Sequence, residues 1–599
     1  MSSFPKHSFE QAYDHAFPPS PVQPTTLSTI SERSPLISKA PAAGGTSSSY
    51  GNSSSSNTLQ PGDSYTSNDS STSYVTANSN SLTETDALLE HGLTNGNGDY
   101  PYSQQQHGRH GDSVLIRSNS AFIPARELTV QEFKVLLKYS GPVVLTYVLQ
   151  NSLQMASLIS LGHLGSIELA ASSLASMFAA VSCWSVSLGT ATALDTLCSQ
   201  SFTSHHPHML GIHLQRAILV LMLLFIPIAG IWLSSEQIFS LLGQEPELSR
   251  HAALFLKGLM PGAPAFLIFE CVKKYLQAQG NMHASTYVLL IAAPLNVVLN
   301  YTLVWNKYVG LGYIGAPIAT SISYWNMLIL LLLYIRFVDG KQGWGGWSRD
   351  ALTGWRTFLK LAIPGVMMVC TEWWAFEVVS LAASYLGTVS LAAQSVVVQT
   401  SSLLYTIPFG ISIAASNRVG NLIGKGDHRS AKIASRVSLA LAIIFGMSNS
   451  AMLLLLKDRW GRLFSDDVDV VKTVAMVLPL VALFQISDGI AGVAGGVLRG
   501  VGLQHLGAYL NLIAYYIVAL PVGYVLTFKL GYGLKGLWSS MCIALWTVSA
   551  GEFWVIVKTN WPNEVQRCKA RIDLLAKRRA SLQAEIDAEF PEVGYSHSA

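Results

Sequence analysis

Two regimes of hydrophobic patterning divide the chain. Over residues 1–125 the apolar positions have no period, and stretches such as SSSYGNSSSSNT and SNDSSTSYVTANSNS are almost wholly polar. Such a segment buries too little apolar surface to offset its ordering entropy, so it reads as a disordered tail. Its first thirty residues hold no continuous apolar run of the kind a secretory signal needs. From Glu132 onward the pattern becomes a succession of apolar runs. Each is about 20 residues or longer, enough to cross a hydrocarbon core about 30 Å thick. About twelve spans result: 135–161, 168–196, 211–233, 250–277, 284–305, 314–338, 355–385, 389–416, 429–455, 470–496, 505–528 and 534–557. The pattern predicts an all-α integral membrane protein. Beyond the last span, Val565, Ile572, Leu575 and Leu582 recur at helical spacing among Lys and Arg. That predicts a basic amphipathic helix over 564–590, compatible with an anionic inner leaflet or with plain solvent.

Self-comparison adds an internal repeat. Lys138 and Pro142 open the first span, and Lys360 and Pro364 open the seventh, 222 residues later. Leu164-Gly165 and Leu386-Gly387, Leu169-Ala170-Ala171 and Leu391-Ala392-Ala393, and LQAQG at 276–280 and LRGVG at 498–502 keep the same offset. The chain therefore divides into a tail (1–125), a six-helix lobe (126–340), a homologous six-helix lobe (341–560) and a C-terminal tail (561–599). An even number of spans per repeat makes the lobes parallel, and two such lobes around a central cleft is how alternating-access carriers are built. Prolines within or at the ends of spans, Pro261, Pro264, Pro364, Pro408 and Pro479 among them, each free a carbonyl and permit a bend.

Composition changes this picture little. Half of the 599 residues are hydrophobic and 12% are charged. The formal charge of +3 averages over two unlike regimes and implies no nucleic-acid partner. Charge placement is more informative. Seventeen Lys and Arg flank the spans on the side that holds both termini, against eight on the other. The termini are thus expected in the cytoplasm, where the sequons at Asn52 and Asn68 stay unmodified. The six cysteines lack ligand spacing and read as reduced packing residues. His205, His206, His208 and His213 have no acidic or Cys partner, so no metal site is expected.

Ionisable groups inside apolar spans mark function by default, because a charge at mid-bilayer costs about 2.5–3.5 kcal/mol on insertion scales. Five acidic residues qualify: Asp195, Glu270, Glu372, Glu377 and Asp488. Glu372 and Glu377 sit in one span, about 140° apart around its axis and about 7.5 Å along it. They can serve a cleft that takes up and releases protons, or bond to neighbouring helices. Asp195, near a span end, suits bracing of the following loop, with coupling as the secondary reading. Glu270 is placed to pair with Lys274 at i,i+4. The amides Gln150, Asn151 and Gln154 in span one and Gln394 and Gln399 in span eight suit either a substrate cleft or interhelical bonding. Trp373 offers a π face to a cation, or simply packs.

The sequence CTEWWAFEVVSLAASYLG followed by LAAQS, at 370–387 and 391–395, resembles the seventh helix of eukaryotic MATE (multidrug and toxic compound extrusion) transporters. LDTLCSQ at 194–200, LQAQG, IPFGISIAASNRVGNLIGKGD at 407–427 and VLRGVG at 497–502 extend the resemblance over about 130–560. The resemblance implies a proton-coupled antiporter for organic, cationic or amphipathic compounds, with sodium left open as coupling ion. It implies coupling through Glu372, with Glu377 and Asp488 as the further acidic residues. Span one lacks the aspartate that many bacterial members carry. The long Ser/Asn tail resembles fungal members. A lipid or lipid-linked glycan flippase of the wider superfamily is the alternative, and would want a basic cleft. No nucleophile–base or metal constellation points to an enzyme. The implied partners are a small organic substrate and the bilayer, the implied state a monomer. Two acidic dileucine-like pieces, ending in Leu36-Ile37 and Leu88-Leu89, suit sorting adaptors and point to the vacuolar rather than the plasma membrane.

Overall fold

The computed structural model describes residues 123–589, with side chains as far as Ser581. Leu36, Ile37, Leu88, Leu89, Asn52 and Asn68 lie outside the described residues. Within them the chain is helical and contains no strand. The membrane-length elements in chain order are α1 (Ala125–Gly162), α2 (Ser166–Phe202), α3 (Met209–Leu233), α4 (Pro246–Leu259 continued by Ala263–Ala278), α5 (Ala284–Trp305) and α6 (Gly312–Phe337). The second set is α7 (Trp355–Ser384), α8 (Thr388–Lys425), α9 (His428–Leu463), α10 (Val468–Val501), α11 (Gln504–Lys529) and α12 (Leu534–Lys558). A thirteenth helix, α13 (Trp561–Glu589), follows.

Ten of these elements are long and apolar enough to cross a membrane, and α4, bent by 53° at its break, makes an eleventh. The break falls where Pro261 and Pro264 remove backbone donors. With 38 residues α1 is also long enough. Its amides at 150, 151 and 154 lower its apolar average, as suits a helix that turns one face to a polar interior. Two spans contain π-helical turns, Ala180–Trp184 in α2 and both Ile513–Ala519 and Val525–Lys529 in α11. Nothing in the residue pattern predicts them.

Each lobe has its own core. In the first, Leu153, Trp184, Trp232, Phe269 and Met327 come together from five spans. In the second, Val379, Val397, Leu453, Phe484 and Trp538 do the same. A third cluster gathers Leu136 of α1, Ile411 and Val419 of α8, Val497 of α10 and Trp561, Val565 and Cys568 of α13. It marks the face carrying the start of α1 and the end of α12, called the terminal face below. The apolar side of α13 is therefore occupied by protein. Trp561, Val565, Cys568, Ile572 and Leu575 are all buried, so the apolar stripe of this helix packs on protein.

The lobes meet tightly near the terminal face because small residues line the crossing. A Cβ on Gly189 of α2 would lie 2.5 Å from the Cα of Val366 in α7. Gly420 and Gly424 of α8 approach Ser199 and the Gln200 carbonyl of α2 just as closely. Backbones at this distance gain dispersion contacts that larger side chains would forbid.

Polar groups complete the joint. Asp195 receives both carboxylate bonds from Lys274 Nζ of α4, at 2.7 and 2.8 Å, and lies 3.5 Å from Arg499 Nε of α10. It thus ties α2 to the other lobe rather than bracing its own loop. Arg418 of α8 holds Glu132 of α1 through two bonds of 2.8 and 2.6 Å. Most of the remainder are bonds from side chains to main-chain carbonyls. Gln200 Nε2 donates to Gly500 O (2.8 Å) and Val501 O (3.1 Å), Thr203 Oγ1 to Asn421 O (2.6 Å), and Gln504 Nε2 to Thr192 O (3.1 Å). Thr196 likewise donates to the Arg499 carbonyl, and Arg571 of α13 donates to Gln200.

Candidate functional site

Beyond this joint, away from the terminal face, the lobes part around a cavity of about 520 Å³. The direction follows from chain order. In α2 the lining residues Ser176 to Leu188 precede the joint, in α7 Glu372 to Glu377 follow it, and in α10 Asp488 precedes Arg499. The structure is thus closed toward the terminal face.

The first lobe contributes Tyr147, Gln150, Asn151 and Gln154 from α1, Trp184 from α2, Glu270 from α4 and Tyr324 from α6. Its charges are already matched. Lys273 Nζ donates to Glu270 Oε1 at 2.6 Å and to Gln150 Oε1 at 3.3 Å, Gln150 Nε2 donates to the same Glu270 oxygen at 3.0 Å, and the ammonium lies 4.6 Å from the Tyr147 ring centroid. The expected Glu270–Lys274 pair is not formed. On the helix the i+3 neighbour Lys273 shares the face of Glu270, and Lys274 turns to Asp195.

The second lobe contributes Glu372, Trp373, Phe376 and Glu377 from α7, Tyr405 from α8, Asp488 and Arg499 from α10, Asn511 and Tyr515 from α11, and Glu552 from α12. Among the described residues none of Glu372, Glu377, Asp488 or Glu552 has a cation within ion-pair distance. Arg499, the one cation in the lining, is turned to Asp195 and donates to Ser412 Oγ at 2.8 Å. Glu552 is fully buried, and room for it is made by Gly507 of α11, whose missing Cβ would lie 3.0 Å from Glu552 Oε1.

The repeat makes the difference between the lobes explicit. At the offset of 222 residues, Glu372 on α7 is the counterpart of Gln150 on α1, and both line the cavity. One half holds an amide bonded into a neutral network. The other holds carboxylates that form no ion pair among the described residues.

Of the residues singled out in the sequence, Gln150, Asn151, Trp373, Glu372, Glu377 and Asp488 line one cavity. Gln394 and Gln399 do not. Gln394 is buried, accepting from Trp538 Nε1 at 2.8 Å and facing Ser380, and Gln399 is exposed outside the cavity lining. Helical spacing alone does not say which side of a span meets the cleft. Glu552 and Arg499 were missed as lining residues. Glu552 sits six residues before the end of α12 and reads as a span-end charge, and Arg499 opens the loop-like LRGVG. An arc of glycines, Gly492, Gly495 and Gly507, is the signal that a side chain must be accommodated there.

The MatE family model matches the chain twice, over residues 142–302 and 364–525, so the two matches begin 222 residues apart. An uncharacterised transporter of Schizosaccharomyces pombe is 43% identical over 443 residues, covering 74% of this chain and 82% of its own. Human multidrug and toxin extrusion protein 1 is 37% identical over 445 residues, covering 74% and 78%. Among solved structures, the eukaryotic MATE transporter AtDTX14 superposes with a TM-score of 0.71 at 29% identity, covering 74% of this chain and all of that one. A twice-matched family model, relatives aligned along most of their length and a shared two-lobe architecture lead to one conclusion: this chain belongs to the MatE family of membrane transporters.

Proposed function

We propose that the protein is a proton-coupled antiporter of organic, cationic or amphipathic compounds, working by alternating access. The observation that carries this reading is the set of carboxylates, Glu372, Glu377, Asp488 and Glu552, that faces the cavity with no cation within ion-pair distance among the described residues. Protonation and substrate binding then compete for the same charge. A proton entering from the open side displaces a cation, and the neutral site allows the lobes to reopen toward the terminal face. The aromatic lining, Tyr147, Trp184, Trp373, Phe376, Tyr405 and Tyr515, provides faces for the organic part of the substrate. A flippase for lipid or lipid-linked glycan would need spare cations for phosphate. Here Lys273 and Lys274 are committed to Glu270 and Asp195, and carboxylates outnumber cations in the cavity lining.

The test is uptake by proteoliposomes with an imposed pH gradient, using a fluorescent organic cation as substrate. Uptake driven by the pH gradient and collapsed by a protonophore is the expected result. Uptake that instead follows an imposed sodium gradient and ignores the protonophore refutes proton coupling.

We assign the protein to the vacuolar or a late endosomal membrane, with both termini in the cytoplasm, where it would load compounds into an acidic lumen. The support is the charge count and the two dileucine-like pieces of the tail. Replacement of Leu36, Ile37, Leu88 and Leu89 by Ala is expected to move a tagged protein to the cell surface. Unchanged vacuolar residence of the quadruple variant removes the assignment to these motifs.

A further inference from the structure

A second cavity, of about 330 Å³, lies at the terminal face where α3 begins, α7 begins and α13 crosses them. Its wall is half apolar, from Met209, Ile212 and Leu575, and half cationic, from Arg216, Arg578 and Arg579. It has no part in the central cleft.

The electrostatics there are incomplete. Among the described residues the one carboxylate in the lining, Asp350, is already taken. Arg579 Nε lies 2.9 Å from its Oδ2, and Ser348 Oγ donates to that same oxygen at 2.9 Å. Arg216 is 98% buried, since only 2% of its surface is exposed. Its Nη2 donates to the main-chain carbonyl of Asp350 (2.9 Å), its Nη1 faces His213 Nδ1 (3.3 Å), and its Nε is buried without a hydrogen-bond partner. Neither Arg216 nor Arg578 has a carboxylate within ion-pair distance among the described residues. A buried guanidinium without an anion is costly. The edge of the cavity is also the start of α7. Its N-cap is Gly354, in the left-handed region (φ 67°), which has no side chain to cap the first-turn N–H groups. A Cβ at Gly354 would lie 3.3 Å from Arg216 Nη2, a tight contact, and the positive φ of this residue favours glycine.

We propose that this cavity binds a phosphate monoester, from an anionic lipid headgroup or a soluble phosphate ester. Two guanidinium groups without a carboxylate partner match the charge of a phosphate dianion and present planar, forked N–H groups. The N-terminus of α7 adds main-chain donors and a favourable dipole. The apolar wall takes the glycerol or carbon skeleton behind the phosphate. Because α3 belongs to one lobe, α7 to the other, and α13 spans both, the bound group bridges the lobes on the face that is closed here. Its occupancy therefore holds the terminal face shut and slows reopening.

The experiment uses the full-length protein in phosphatidylcholine nanodiscs and reads its thermal unfolding midpoint. Three additions are compared: phosphatidic acid in the disc, phosphatidylserine at equal charge, and soluble glycerol 3-phosphate. A ligand bound only to the folded state raises the midpoint saturably with concentration. Phosphatidic acid or glycerol 3-phosphate is expected to do so, and phosphatidylserine, which lacks a monoester, is not. A response to phosphatidic acid alone identifies a lipid source, and a response to both identifies the phosphate group itself. Arg578→Gln, at an exposed position that leaves folding intact, is expected to weaken the response about tenfold, and Arg216→Gln to abolish it. No saturable shift with either phosphate, an equal shift with phosphatidylserine, or an undiminished response in both variants overturns the proposal.

Discussion

Glu372→Gln is expected to reduce gradient-driven substrate uptake to background while the protein still inserts and folds. The carboxylate stands in the cavity without a cationic partner, so the amide removes a negative charge that no bonded cation depends on. What disappears is the competition between proton and substrate for one site. Coupling free energies between two ligands run at about 1–3 kcal/mol, or roughly 5–150-fold, and the loss should fall in or beyond that range. Glu270→Gln is the contrasting control. It strips Lys273 of its charge partner, so its effect should appear first as reduced stability. Robust uptake by the Glu372 variant at matched protein level would remove that residue from the mechanism, whatever the other carboxylates do.

Asp195→Asn is expected to destabilise the protein by about 3–5 kcal/mol, the usual cost of removing one partner from a buried ion pair. Lys274 would keep its charge with no carboxylate within ion-pair distance, and the Arg499 guanidinium would lose its ion pair to the first lobe. The damage comes from the stranded cation, so a second substitution, Lys274→Met, should recover a large part of it. Thermal unfolding of the purified single and double variants measures this directly. If Asp195→Asn melts with the wild type, or if the double variant is no better than the single, the cluster is not holding the lobes together.

The architecture was largely legible in the sequence because its signals are long-range and redundant. Twelve apolar runs and a repeat at constant offset leave few folds open, and all twelve predicted spans correspond to helices. The site was legible where a charge breaks an apolar run, as at Glu372, Glu377 and Asp488. It was less so where geometry decides. Gln394 and Gln150 look alike in sequence, yet one is held by Trp538 in a helix interface and the other faces the cavity. The choice of Lys273 over Lys274 as partner of Glu270 turns on about 100° of helix rotation and on the arrival of Asp195 from another helix. Likewise the C-terminal helix shows its amphipathic stripe in sequence, but not that the stripe faces protein.

The joint at the terminal face has a consequence for the work a carrier can do. Most of its bonds are neutral, from Gln200, Thr203 and Gln504 to carbonyls of the opposite lobe. Neutral hydrogen bonds net only about 0.5–1.5 kcal/mol each, since water replaces them when they part. A proton descending one pH unit releases about 1.4 kcal/mol, and one crossing 100 mV releases about 2.3 kcal/mol. A few such bonds therefore match the descent of a single proton. A closure built wholly from buried ion pairs would have outlasted that impulse and stalled the cycle in one state.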